Sequence, residues 1–421
     1  MRRPSIWLML VVFLLGLVLV REPRIGALEE TFLRWLMGHS QNSGGPPVPL
    51  TVVEISQEAL ADTQRDSEAK PGANVGAVSP LEYALFLQSA LDFQPTVIAA
   101  ENILKWRERD KDQEQVFVDQ AMRVPKLLLA EELSNNPDPD APTTEIHGFP
   151  NVSGKRGDLV AFSGIGRQPS EDLRLISTHG FTNLPDEISS SIRVPLLFSY
   201  RGEVVPSFPL QAIMLWQRIV PSEVQIVLGS HITLPQNRKI PIAADGTLLI
   251  DPGITARARR ISLNELLLAA QQRETSNTTA FADLRDQIVL ARSPASLLSP
   301  PDVFAATIAS IQSGAYIHRI SRIFDLFFLL LVAAGAGFLR KMMRFDLALL
   351  GIALSAAYCL VALGTIAQWN LYLPGVVPLA AIWTAIVVAM FSRQKKTLRV
   401  TPPSRFRRRS PNSESLRERG K

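Results

Sequence analysis

The sequence predicts an α/β protein: an extracytoplasmic domain built on a mixed or parallel sheet, carried by four transmembrane α-helices. Three observations lead there. Between Ile323 and Phe391 three apolar runs follow one another, and a fourth opens the chain at Ile6–Val20. The stretch between them alternates β-branched runs with apolar residues at helical spacing. The expected layout is an anchor over 1–20, an outer domain over 21–320, three helices over 321–391 and a basic disordered cytoplasmic tail over 392–421.

Arg2 and Arg3 precede the first run. The run ends in Leu19-Val20-Arg21-Glu22-Pro23-Arg24, which lacks the small residues of a cleavage site, so an uncleaved signal anchor is expected. The run is short for a span, and flanking arginines can snorkel to the surface. Ala27–Met37 has the apolar spacing of a helix, broken by Gly44-Gly45-Pro46-Pro47.

Leu50–Ile55 reads as a buried strand. Tyr83, Phe86, Leu87, Ala90 and Leu91 share one helical face, and Thr96–Ala100 is the next strand. Glu114–Met122 is helical and Leu127–Ala130 a third strand. Strand–helix–strand order of this kind implies parallel pairing through crossovers.

Ser134–Thr144 is a loop whose alternating Asn136, Asp138 and Asp140 fail the calcium-loop pattern: Pro142 replaces the glycine and His147 the final glutamate. Gly148–Lys155 is one residue too long for a phosphate loop and is followed by Arg156. Gly164-Ile165-Gly166 reads as a turn. Residues 192–198 read as a strand placed near a sheet edge by Pro195. Ser207 caps a helix with Pro209 in its first turn. Gln225–Leu228 and Thr247–Ile250 are short strands, the second after an Asp245-Gly246 turn. Ser262-Leu263-Asn264-Glu265 is a capping box. Gln287–Ala291 is a last strand, and Val303–Gln312 a last helix stopped by Gly314.

The membrane block has runs at Ile323–Leu339, Leu347–Ala367 and Val376–Phe391. Runs near 20 apolar residues cross a bilayer as helices, since lipid offers the backbone no other partner. Positive charge marks the cytoplasmic side. Arg340, Lys341 and Arg344 therefore put the first hinge inside. The second hinge, with Trp369 and Tyr372 and no charge, falls outside. Arg393, Lys395 and Lys396 begin a tail that returns inside, and Arg2 and Arg3 keep the amino terminus there. The expected location is a multi-pass cell (inner) membrane protein with both termini cytoplasmic. Residues 21–322 carry −7 within a total of +5, so the basic residues cluster where cytoplasm is expected. The partner of such juxtamembrane charge is anionic lipid rather than nucleic acid.

Cys359 is the sole cysteine, so neither an intrachain disulfide nor a cysteine metal site can form. His39, His147, His179, His231 and His318 stand apart from one another, and no nucleophile elbow occurs. Gly180 and Gly229 beside His179 and His231 suggest turns. Glu131-Glu132 forms no diagnosable acid–base pair. We expect no catalytic centre, cofactor or metal, and no enzyme activity.

Several stretches resemble the CHASE type-2 family of extracellular sensor domains. Val52-Val53-Glu54-Ile55 with Glu58-Ala59-Leu60 looks like the family's opening strand. Pro80–Leu104 is similar to its next helix and strand. Gly180, Asn183 and Ile192–Leu196 resemble its central block. Ile288-Val289-Leu290 and Ala305–Gly314 resemble its last strand and helix. The likeness runs over roughly 25–391. This chain departs from the family in carrying Ser56 and Glu101 for aspartates, Ser190-Ser191 for Asp-Gly, Ala291 for a glycine and Phe304 for a histidine.

The resemblance implies a membrane sensor or signal-input protein with an unidentified outer ligand. Too little chain follows Phe391 for an output domain, so a cytoplasmic signalling partner or a homodimer mate is expected to supply the output. Ala333/Gly337 and Gly351/Ser355 offer small-residue pairs for close helix packing. The alternatives are an envelope scaffold tethered to anionic lipid by its tail and, less favoured, an outer-facing enzyme.

Overall fold

The computed structural model describes residues 10, 13–14, 18, 24–40, 45–55, 79–106, 110–136, 146, 148–185, 192–276, 283–293, 302–320, 322–339 and 343–397. Arg2, Arg3, Arg340 and Lys341, the family positions at Ser56, Ser190 and Ser191, His147 and the tail from residue 398 lie outside them. The chain divides into two units: residues 26–321 with 359–375, and residues 1–25, 322–358 and 376–421.

The larger unit begins within helix α1 (Arg24–His39) and continues to strand β1 (Leu50–Glu54). Helix α2 (Pro80–Leu91) starts at a full capping box: the Ser79 hydroxyl accepts from the Glu82 N–H, and the Glu82 carboxylate accepts from the Ser79 N–H. Strand β2 (Val97–Ala100), helix α3 (Lys111–Ala121) and strand β3 (Leu127–Ser134) come after it. Next are β4 (Val152–Ser153), β5 (Ala161–Phe162), β6 (Gly164–Arg167), helix α4 (Glu171–Ile176) and β7 (Thr178–Phe181). Strands β8 (Arg193–Pro195), β9 (Leu197–Tyr200) and β10 (Glu203–Pro206) lead to helix α5 (Phe208–Gln217).

Strands β11 (Gln225–Val227), β12 (His231–Leu234), β13 (Arg238–Pro241), β14 (Thr247–Leu249) and β15 (Arg259–Ser262) precede helix α6 (Leu263–Ser276). The unit ends through β16 (Ile288–Arg292), helix α7 (Val303–Ser313) and β17 (His318–Arg319), and is rejoined by β18 (Leu371–Tyr372).

The main sheet runs β15-β1-β16-β2-β3, with β7 and β6 both pairing with β3. Every pairing is parallel except β3–β6, so the sheet is mixed as expected. Alternate side chains feed two cores. Val53, Ile98, Leu129 and Val289 face one side, with Phe86 of α2, Phe117 of α3, Leu173 of α4 and Leu266 of α6. Val52, Ala99, Leu128 and Leu290 face the other, with α5, α7 and small sheets formed by β4, β8 to β14. Parallel strands need these crossover helices, and both faces are buried because both are covered.

Gly164-Ile165-Gly166 is strand, not turn. Ile165 is buried, and a Cβ on Gly166 would meet the Ser134 Cβ at 2.9 Å, so the glycine admits β3 at close range. Gly180 likewise lies inside β7, where a Cβ would meet the Phe208 Cα at 2.7 Å. Gly229 does turn, at φ +78°. The expected strand over 192–198 is broken at Leu196 into β8 and β9. Ser207 stands at the start of α5, but its hydroxyl makes no capping bond.

In the smaller unit the apolar runs form helices α8 (Arg322–Leu339), the first part of α9 (Arg344–Trp369) and α10 (Val376–Thr397). Ala333 of α8 packs with Ala385 of α10, and Leu347 of α9 with Ile382 and Ile386. Helix α10 includes Arg393, Lys395 and Lys396, so residues 392–397 of the expected tail are helical. Among the described residues, Phe345–Trp369 alone is long and apolar enough to cross a membrane; Ile323–Gly335 and Val376–Met390 are shorter apolar helices.

Candidate functional site

The carboxyl ends of the parallel strands gather ionised side chains on the face covered by α7. The register sets Ser262 beside Glu54, Glu54 beside Arg292, and Ala291 beside Ala100. Arg292 therefore stands between Glu54 and Glu101, charges alternating across β1, β16 and the end of β2. Ligands of open α/β sheets bind outside this edge.

Asp302 closes the row from above. It sits at the N-cap of α7 with φ 63° and ψ 29°, and its side chain does not cap the helix. It instead pairs with both Arg292 and Arg260. Arg292 Nε lies 3.4 Å from Glu101 Oε1, and Arg260 3.7 Å from Glu54. Exposure grades along the row. The Glu101 side chain is 1% exposed and that of Arg292 9%, whereas Arg260 and Glu54 are 40% and 46% exposed.

Behind the row stands Tyr83 of α2, in edge contact with Phe117, whose ring meets Trp106 at 5.1 Å. Burial pushes the Tyr83 hydroxyl well above its usual range, and the Glu101 charge adds to this. The hydroxyl has no hydrogen-bond partner among the described residues.

A second polar group lies on the opposite face, beyond the end of β2. Glu131 of β3 is 2% exposed, and His179 Nδ1 of β7 approaches its Oε2 at 3.8 Å. Burial raises the Glu131 carboxyl to about 7, against a smaller pull from the Arg174 charge. Burial lowers His179, Arg174 adds to the lowering, and a hydrogen bond to the Arg174 backbone opposes it. Neighbouring Glu132 points outward and pairs with Arg167.

His179 is thus a strand residue beside a buried carboxylate, not the loop histidine its glycine neighbour suggested. His231 opens β12 and contacts the Ser230 hydroxyl, and His39 bonds the Trp35 carbonyl within α1. No group of three or more His, Cys, Asp or Glu able to hold a metal occurs among the described residues. Sequence reasoning missed both the edge row and the Glu131–His179 pair. A charged residue directly ending a buried strand, seen at Glu54 and Glu101, is the signal that could have found the row.

At the other end of α7, Arg238 of β13 donates to the carbonyls of Ile311 and Gln312, and Gly314 turns the chain at φ +67°. The chain then enters β17, which pairs in parallel with β18. His318 donates its N–H to Asn370 O at 2.9 Å, and Ile320 to Tyr372 O at 3.2 Å. Asp302 and this strand pair are therefore the two ends of one short path.

A family profile described as CHASE2 domain matches residues 8–319. No curated protein and no solved structure matches the chain.

Proposed function

The chain belongs to the CHASE2 domain family, a family of sensor domains, and we propose that it is a membrane-integrated signal-input protein. The observation that carries this is the Arg292–Asp302 pair. It ties the sheet edge to the start of α7, whose far end leads through β17 to the segment between α9 and α10. A ligand that binds at the edge and favours one arrangement of these ion pairs biases α7, since only differential affinity shifts an equilibrium. Glu54 and Arg260, the exposed end of the row, are where it meets solvent.

Membrane integration is supported by helices that keep apolar side chains outward: Phe327 and Leu330 of α8, Leu360 and Val361 of α9, Val387 of α10. An apolar helix with an apolar outer face suits lipid rather than water. Four spans with residues 21–320 outside and both termini inside fit the charge distribution. In this arrangement Arg393, Lys395 and Lys396 lie against anionic lipid, and a cytoplasmic partner or a second copy receives the signal. The chain acts as an input and not as an enzyme. Reporter insertions near residue 150 and near residue 415 test the topology; they are expected in opposite compartments, and a shared compartment would refute it. Arg292→Gln is expected to abolish the response of a cross-linked cytoplasmic partner to stimulus while the protein still reaches the membrane.

A further inference from the structure

Strand β3 changes partner in mid-course. It pairs with β7 from Leu128 to Glu131, then with β6 from Glu132 onward, and the register slips between Glu132 and Leu133. Glu131 is the last residue before the fork. Its backbone carbonyl accepts from the Thr182 N–H at 2.9 Å and from the Thr182 hydroxyl at 3.2 Å. Beyond the fork, Asn183 bridges both the N–H and the carbonyl of Leu133. The Glu131 side chain is buried, and its Oε1 accepts no hydrogen bond among the described residues. His179 Nε2 is likewise without a hydrogen-bond partner among them. A buried carboxylate so placed is costly as an anion and tolerable as an acid.

We infer that the outer domain holds a proton-binding site at Glu131, beside His179, at the fork where β3 passes from β7 to β6. Among the described residues the charged groups around it are few. From β7 there is His179; from α4, Arg174; from β6, Arg167, already engaged by Glu132 on the far face. After β2 comes Glu101, engaged by Arg292. The helices over this face contribute apolar Phe117 and Leu173.

With the proton on, the carboxyl is neutral and the fork is closed by the Thr182 and Asn183 bonds. With the proton off, the anion draws Arg174 or water toward the fork, and the short segment from His179 to Asn183 loosens. Glu131 titrates near neutrality, so the change falls within the range an exposed compartment reaches. The inference rests on the sensor reading in naming the proton as a stimulus.

The test uses the full chain in lipid nanodiscs between pH 5 and 9. Difference infrared spectroscopy reads protonated carboxyl, and hydrogen exchange, corrected for its intrinsic pH dependence, reads residues 178–185. A protonated-carboxyl band is expected to disappear with a midpoint near 7 and to be absent from Glu131→Gln. Exchange at 178–185 is expected to rise at least severalfold above that midpoint, and in Glu131→Gln to stay at its low-pH level. A band that titrates in the ordinary carboxylate range, or survives Glu131→Gln, overturns the site. A correct band with unchanged exchange overturns the coupling to the fork. Both readouts are independent of any cytoplasmic output. A chain that shows both changes while a cross-linked cytoplasmic partner ignores pH therefore refutes the proton as a stimulus and leaves the site standing.

Discussion

The Tyr372 hydroxyl donates to the Glu29 carboxylate, joining the segment between α9 and α10 to helix α1. The same carboxylate accepts the Gly375 N–H at 3.0 Å. With β17 pairing β18, three separate passages of the chain are held at one place.

Tyr372→Phe removes one donor to a charged acceptor and leaves the other. Such a bond contributes about 1.5–3 kcal/mol. The full chain in detergent should melt lower, and amides at 318–320 should exchange faster. Unchanged exchange there would show that the hydroxyl does not anchor the strand pair.

Arg292→Ala removes the guanidinium that pairs with buried Glu101 and Asp302, and breaking a buried pair costs about 3–5 kcal/mol. Arg260→Ala removes an arginine 40% exposed, and exposed pairs contribute roughly 1 kcal/mol or less. Thermal unfolding of the two variants should therefore separate widely. Equal losses would mean the row is not graded in the way its exposure indicates.

Stability should depend on pH through Glu131. Its folded value, about 7, lies above the ordinary 4.5, so the fold favours the protonated form. The stability it contributes is complete below 4.5 and is lost as pH rises through about 7. The total is on the order of 3 kcal/mol, at about 1.4 kcal/mol per pKa unit. His179 is lowered, so its contribution is present above 6.5 and lost as pH falls. Glu131→Gln should remove the fall in stability between pH 4.5 and about 7 that Glu131 supplies, read in a series of melting curves.

Two glycines should answer differently to alanine. At Gly180 the new Cβ meets backbone, the Phe208 Cα, and α5 must shift; a cost of about 1–3 kcal/mol is expected. At Gly351 the nearest atom is the Ile386 Cδ1, the free end of a side chain that can rotate, so Gly351→Ala should cost under about 1 kcal/mol. Comparable losses would contradict the distinction between rigid and yielding neighbours.

The long elements were legible because their pattern is local. Val52, Val53, Val97 and Ile98 are strand residues by type, and Ser262 with Glu265 forms the capping box that its spacing predicts. The short strands β4 to β7 and β10 were not legible. Two to four residues give too few alternations to read, and glycines such as Gly166 serve sheet contact while resembling turns. Phe304 is a core residue, tilted against Phe208 with ring centroids 5.6 Å apart. The edge row was hidden by distance along the chain, since Glu101, Arg292 and Asp302 meet only once the sheet has formed. Glu131 was hidden by a neighbour of the same type, for only the strand's alternation separates it from Glu132.

The place of β1 in the sheet has a consequence for biogenesis. Thr51 pairs with Arg259 on one side and Val289 on the other, so both flanks of the first strand wait for residues synthesised long afterwards. Until β15 arrives, a ribosome-bound or translocating chain bears a greasy ribbon with two open edges, and one of them stays open until β16. Helix α8 starts only thirty residues after β16 ends. The sheet can close around its first strand only when β16 is made, so strand edges stay unpaired for most of synthesis.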